Sequence, residues 1–255
     1  MRSDTTYLRQ EASPNRPVSG SVDVKWLLLG QIAAADIVLW LFPDLAVRSL
    51  GSVPVFGELE TGGFGLFWSL LLMLLLMNAF RTIDRLGVGV ALVSSIALLL
   101  LSLSSNAAVP FAISAGLSLM LVLLLFLGSV SRRLKGIAGM AVGLLLAVTG
   151  MAVLHVSSPK VSLPVVLTLF ALPVTGVVAA GLRRMLAGRS PFTADDSHFR
   201  DVLLSKGVSP SGVGVVMTAL SVVFAMLAVC AVYLAVPDAY LYMLLLLLLI
   251  FFVLS

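Results

Sequence analysis

An all-α polytopic membrane protein, a bundle of about eight transmembrane helices with both termini cytoplasmic, is the fold class that three observations predict. The 255-residue chain is 60% hydrophobic and only 11% charged, with a mean hydropathy of +1.14. Its apolar residues fall in repeated runs long enough to cross a hydrocarbon core of roughly 30 Å. Its basic residues gather in alternate connections between those runs. A transmembrane β-barrel would instead show segments of about ten residues with alternating polarity, and no such alternation is present.

Eight spans are predicted, over residues 26–43, 64–80, 87–105, 107–130, 136–156, 161–181, 212–236 and 239–254, each near the roughly 17 to 25 residues a helix needs to cross. Residues 1–25 are polar, with Pro14, Pro17 and several Ser and Thr, and read as a flexible cytoplasmic tail. No secretory signal peptide is expected, since no apolar region follows the first charges until Trp26. Residues 26–255 read as one transmembrane helical domain, interrupted by a polar loop at 182–211.

Lys and Arg are retained in short cytoplasmic loops during insertion. With the N-terminus inside, all but Arg48 and Lys160 of the 16 cations lie on the cytoplasmic side. The outer loops carry Asp44, Glu58, Glu60 and Asp238 instead. This topology accounts for the pI of 9.6. A nucleic acid is excluded as the expected partner, because the cations are spread over four loops rather than gathered with stacking aromatics.

Several single residues have a functional and a structural reading. Cys230, the one cysteine, reads as a buried, inert thiol within the seventh span, and it can form no disulfide within the chain. Trp26, Tyr240 and Tyr242 sit near span ends, where aromatic rings anchor helices at the interface. Asp36 is an ionisable group inside a span, which is expensive and tends to face the bundle or a water cavity. It suggests a small transporter with a proton or substrate path, or else a helix–helix hydrogen bond, with Gln31 five residues earlier. Against transport, no Gly or Pro interruption recurs in matching halves and no internal repeat is visible. His155 reads as structural. Ser94, Ser95, Ser114, Gly116, Gly143 and Gly176 permit close helix contact within a packed bundle and at a homodimer or hetero-partner interface. The last span lacks small residues and is expected to face lipid.

Chemistry in water is confined to three cytoplasmic connections, NAFRTIDRLG at 78–87, SRRLKGIAG at 131–139 and the long loop. In the last, GRSPFTADDSH at 188–198 resembles the segment G-x-S-P-F-x-A-D-x-x-H of the polyprenyl-phosphate N-acetylhexosamine-1-phosphate transferases of the MraY and WecA type. Arg183, Arg184, Leu203, Leu204 and Gly207 also fit that pattern. NAFRTIDRLGVGVALV at 78–93 resembles the family's N-x-x-N-x-x-D-G-x-D-G-L-A-x-G-V-A-L. Lys135 to Gly139 lies where the family has M-G-D-x-G, and Lys25 with Gln31 resembles a Lys and Gln that open a family helix. The similarity runs in order over residues 24–236 and implies kinship with the last eight of eleven spans, an N-terminally truncated member. It implies a bacterial inner-membrane, multi-pass protein of cell-wall or polysaccharide biosynthesis. The family moves a sugar phosphate from a UDP-sugar onto a polyprenyl phosphate such as undecaprenyl phosphate, using Mg2+.

By that resemblance Asp84 and His198 are the catalytic candidates, Arg189, Arg200 and Asn78 the phosphate or lipid-head binders, and Asp84 the one candidate metal ligand. The departures point the other way. The tail offers Asp4, Glu11 and Asp23 without the family's D-D-x-x-D spacing; Arg81 and Arg85 stand where an asparagine and a glycine belong. Ile137 and Gly176 occupy aspartate positions, and H-x-H-H becomes His198-Phe199-Arg200-Asp201. Magnesium takes oxygen ligands, commonly one or two carboxylates plus substrate phosphates, and losing one catalytic group typically costs ~10²-fold or more. The sequence therefore reads as a pseudoenzyme that keeps lipid-phosphate binding or an accessory role, with Mg2+ needed only if it is active. The alternative is an active transferase in which Asp195, Asp196 and Asp201, or a second polypeptide, replace the missing carboxylates. His198 would then meet a diphosphate beside Arg189 and Arg200, whose guanidinium forks suit phosphate oxygens. The plainer reading makes Asp84 a loop aspartate paired with its arginines and His198 a residue holding the loop.

Overall fold

The computed structural model describes residues 24–53, 56–83, 88–103, 135–157, 161–188, 203–204 and 206–254. Eight helices are formed there: α1 Val24–Leu41, α2 Gly65–Ile83, α3 Val88–Leu103, α4 Lys135–Ser157, α5 Leu163–Leu169, α6 Ala171–Leu186, α7 Pro210–Tyr233 and α8 Asp238–Leu254. A two-stranded hairpin, β1 Ser49–Val53 and β2 Gly57–Glu60, lies between α1 and α2. The fold is that of an all-α polytopic membrane protein.

Helix α2 is the hub, packed along α4 most closely and also against α1 and α6. Helix α3 lies on α7 and α4, and α8 packs on α6, α5 and β1. Phe80, Phe170, Met73, Leu76 and Leu146 fill the centre. The α2–α4 contact is close because two glycines of α4 face the α2 backbone. A Cβ on Gly139 would stand 2.8 Å from the Phe80 carbonyl oxygen, and one on Gly143 would stand 2.4 Å from that of Leu76. In lipid, where apolar surface is no driving force, such small-residue seams let helices gain van der Waals contact.

Three of the predicted spans are helices long and apolar enough to cross a membrane, within Gly62–Arg81, Gly139–Val156 and Ser211–Tyr233. Three more form shorter apolar helices, Trp26–Leu41, Gly89–Ser102 and Asp238–Leu254. The span expected over 107–130 lies outside the described residues.

The span expected over 161–181 is not one helix. It is α5 followed by α6, bent by 86°. Pro173 has no N–H to donate to the Leu169 carbonyl, so the helical ladder skips there and resumes as Val174 N–H donates to Phe170 O at 3.0 Å. Phe170, the residue at the bend, is fully buried with its ring edge-on to Phe80. Burial of the apolar break inside the bundle offsets the lost hydrogen bond.

The hairpin is the other departure from a purely helical expectation. Its strands pair antiparallel with Ser49 opposite Glu60 and Val53 opposite Gly57, and the register shifts between Ser49 and Ser52. Its base is stitched to α2: Thr61 Oγ1 donates to Val47 O at 2.5 Å, and Val47 N–H donates to Ser69 Oγ at 2.8 Å. Its far strand is clamped by α8. The Asp238 carboxylate accepts from Ser52 N–H at 2.9 Å and from Ser162 Oγ at 2.5 Å, and the Tyr242 hydroxyl donates to Leu50 O. Gly51 has φ +83°, and a Cβ there would meet the Asp238 carboxylate at 2.5 Å, so only glycine fits.

Three residue-level expectations are corrected. Cys230 is not buried but exposed on the outer face of α7, because the buried stripe of that helix runs through Met217, Ser221, Ala225 and Ala228. Tyr242 is not an interfacial anchor like the exposed Trp26 and Tyr240; it is half-buried against the hairpin. Asp36 is exposed on α1, and the interhelical hydrogen bond belongs to Gln31.

Candidate functional site

The family-like segments outside the long loop converge at one end of the bundle. This end carries the N-terminal half of α1, the C-terminal turns of α2 and the N-terminal turns of α4, with the last turn of α6. Gln31, 2% exposed in a largely apolar helix, needs partners because an unpaired amide in hydrocarbon costs several kcal/mol, of the order of 2–7. It finds them on two other helices. Its Nε2 donates to Met140 Sδ at 3.0 Å, and its Oε1 accepts from Asn78 Nδ2 at 3.3 Å. Asn78 Nδ2 also donates to Leu74 O, one turn back, at 2.9 Å. Three helices are thus held in register by one small polar cluster.

Gly139 and Gly143, on the same part of α4, press against Phe80 and Leu76 on either side of Asn78. Arg81 follows in the last turn of α2, and Arg183 and Arg184 close α6, all half-buried. This end is therefore cationic. The described carboxylates lie elsewhere: Asp44, Glu58, Glu60 and Asp238 at the hairpin end, and Asp36 partway along α1.

Of the residues expected from the motifs, Asn78 is within the cluster. Asp84, Arg189, His198 and Arg200, with Arg85, Asp195, Asp196 and Asp201, lie outside the described residues. Ile137, at an aspartate position of the resembled family, is exposed in the first turns of α4. At Gly176, the other such position, a Cβ would meet nothing within 4 Å. Met140 was not foreseen; its thioether is a weak acceptor with no sequence signature of its own. The Gln31–Asn78 pairing had a signal in two amides inside apolar runs on spans expected to be neighbours.

The described residues do not suit magnesium. At this end they supply amides already engaged with each other, an isoleucine and three arginines, whereas the ion takes an octahedron of oxygens with carboxylates among them. Among the described residues no group of three or more His, Cys, Asp or Glu is arranged to hold a metal. What this end can do chemically is present cations to an anion at the bundle surface.

Comparison with known proteins agrees with the motifs. No protein-family model matches the chain. It is 26% identical over 210 residues to the undecaprenyl-phosphate alpha-N-acetylglucosaminyl 1-phosphate transferase of Escherichia coli O157:H7, an alignment covering 79% of this chain and 57% of that protein. The proteins of the same name from Salmonella typhi and Yersinia pestis are 28% and 25% identical, covering 79% and 77% of this chain and 57% and 56% of theirs. The chain thus spans a little over half the length of the curated relatives it matches. The chain is thus similar over most of its length to undecaprenyl-phosphate alpha-N-acetylglucosaminyl 1-phosphate transferases, and the Gln31–Asn78 contact joins two of the segments in which the motifs were read.

Proposed function

We propose that the chain binds a polyprenyl phosphate at its cationic end and does not itself transfer a sugar phosphate to it, serving as an accessory or regulatory protein of lipid-linked glycan assembly. Its setting is the bacterial inner membrane, with both termini and the cationic end facing the cytoplasm, as the distribution of Lys and Arg favours. The observation that carries this reading is the pairing of Gln31 with Asn78, which joins two segments similar to those of undecaprenyl-phosphate transferases. Arg81, Arg183 and Arg184 supply charge for a lipid phosphate, and Arg189 and Arg200 lie in the adjoining loop. Ile137 and Gly176, where acids would be needed, speak against metal-assisted transfer.

A working transferase is the second reading, favoured by the acidic run Asp195, Asp196 and Asp201 beside His198. It would take a UDP-sugar and Mg2+. The two differ in binding as well as turnover. Undecaprenyl phosphate should bind the full chain in detergent with EDTA present, and Arg189→Gln with Arg200→Gln should weaken it by about ten-fold or more, the worth of a lost charged hydrogen bond. Binding that requires Mg2+, or no binding at all, would overturn the proposal.

A further inference from the structure

A second site lies at the other end of the bundle. There the hairpin, the end of α4 and the starts of α5 and α8 enclose a cavity of about 330 Å³, within the span of roughly 300–1,000 Å³ usual for small-ligand pockets. Arg48, Glu58 and Asp238 bring both signs of charge to its wall, with the hydroxyls of Ser49 and Ser162, over apolar side chains of α4 and α5. Its depth in the membrane is marked by exposed rings around the same end. Trp40, Phe42, Phe56, Phe64 and Tyr240 are each more than half exposed, and such rings sit at the headgroup level.

We propose that this cavity binds the headgroup of an aminophospholipid of the phosphoethanolamine type. Arg48 is available to the phosphate: its one ion pair among the described residues, with Asp44, is 4.0 Å long with both side chains largely exposed, and such pairs hold little energy. Glu58 receives the ammonium. Its contact with Ser49 Oγ is long, at 3.4 Å, whereas Asp238 is committed to Ser52 and Ser162 and fixes the wall. The chemistry selects against other headgroups. Choline has no N–H to donate and is recognised by aromatic cages, yet His155 is the only ring among the described lining residues. Glycerol headgroups leave a net anion beside two carboxylates. This inference is independent of the proposed polyprenyl-phosphate site.

The test is native mass spectrometry of the full chain released from non-ionic detergent, with dimyristoyl phosphatidylethanolamine, phosphatidylcholine or phosphatidylglycerol added separately. Phosphatidylethanolamine should bind about ten-fold more tightly than phosphatidylcholine, the value of one charged hydrogen bond. Glu58→Gln should bring that ratio to about one, and Arg48→Gln should weaken both lipids alike. Both side chains are exposed, so the fold should survive, and circular dichroism checks it. Equal binding of the two lipids by the unmodified chain, tightest binding of phosphatidylglycerol, or a preference that survives Glu58→Gln would each overturn the proposal.

Discussion

Gly143→Ala should loosen the bundle at its most extensive helix contact. The added methyl would stand 2.4 Å from Leu76 O and 2.7 Å from Met77 Cα, where ordinary contact begins at 3.4 Å. The α2 backbone must therefore retreat by about 1 Å, since the atoms struck are backbone and cannot rotate away. The same substitution at Gly176, where a Cβ meets nothing within 4 Å, shares the gain of roughly 0.5–1 kcal/mol in helix preference. The difference between the two variants isolates the clash. Overpacking costs about 1–3 kcal/mol, and the upper half of that range is expected here. Gly150→Ala should fall between them, because its nearest neighbour is the movable Val166 Cγ1 at 3.1 Å. Unfolding of each purified protein by SDS titration of mixed micelles, followed by far-UV circular dichroism, reads the series. Equal stability of the Gly143 and Gly176 variants would refute the reasoning and mean that α2 and α4 are not packed backbone to backbone.

Smaller effects follow at three other places. Ala235 ends α7 with φ +49°, a conformation that costs a non-glycine residue about 1–2 kcal/mol, so Ala235→Gly should raise the SDS midpoint. Ser209 caps α7 by accepting from Gly212 N–H at 3.2 Å, and Ser209→Ala should cost about 1 kcal/mol by the same assay. Asp238→Ala leaves Ser52 N–H and the Ser162 hydroxyl without their acceptor, a loss of about 1–3 kcal/mol each where they stay desolvated. Hydrogen exchange should then quicken in residues 49–60 while α2 and α4 stay protected. Gln31→Leu and Asn78→Leu should each destabilise, and the double variant should cost less than their sum, because one orphaned amide is worse than none.

Hydropathy alone located six of the eight described α-helices as separate spans and ran α5 and α6 together, since each span is an apolar run bounded by polar or Gly and Pro residues. The bend at Phe170 was legible in Pro164 and Pro173 but masked by the unbroken apolar character of residues 161–181. The hairpin was not legible. Its strands are short, contain Gly51 and Gly57, and depend on Asp238 and Tyr242, which lie 186 and 192 residues from their partners Ser52 and Leu50. No local pattern encodes such a clamp. At the candidate site, Asn78 and Gln31 were recognised by motif, and the structure adds the hydrogen bond between them and Met140 as a partner of Gln31. Asp84, Arg189, His198 and Arg200 remain motif assignments outside the described residues. Asp36 shows the limit of single-residue reasoning. An acid in an apolar run suggests an interior partner, yet helix periodicity turns it to the exposed side with Ile37 and Trp40 while Gln31 and Ala35 face inward.

The central claim, lipid-phosphate binding without transfer, is tested most directly by purified protein given undecaprenyl phosphate, Mg2+ and radiolabelled UDP-N-acetylglucosamine, beside Asp84→Asn and His198→Ala. The account predicts no labelled lipid from any of the three, with undecaprenyl phosphate bound by the unmodified chain. Labelled lipid formed in a metal-dependent way and abolished by either substitution would contradict it.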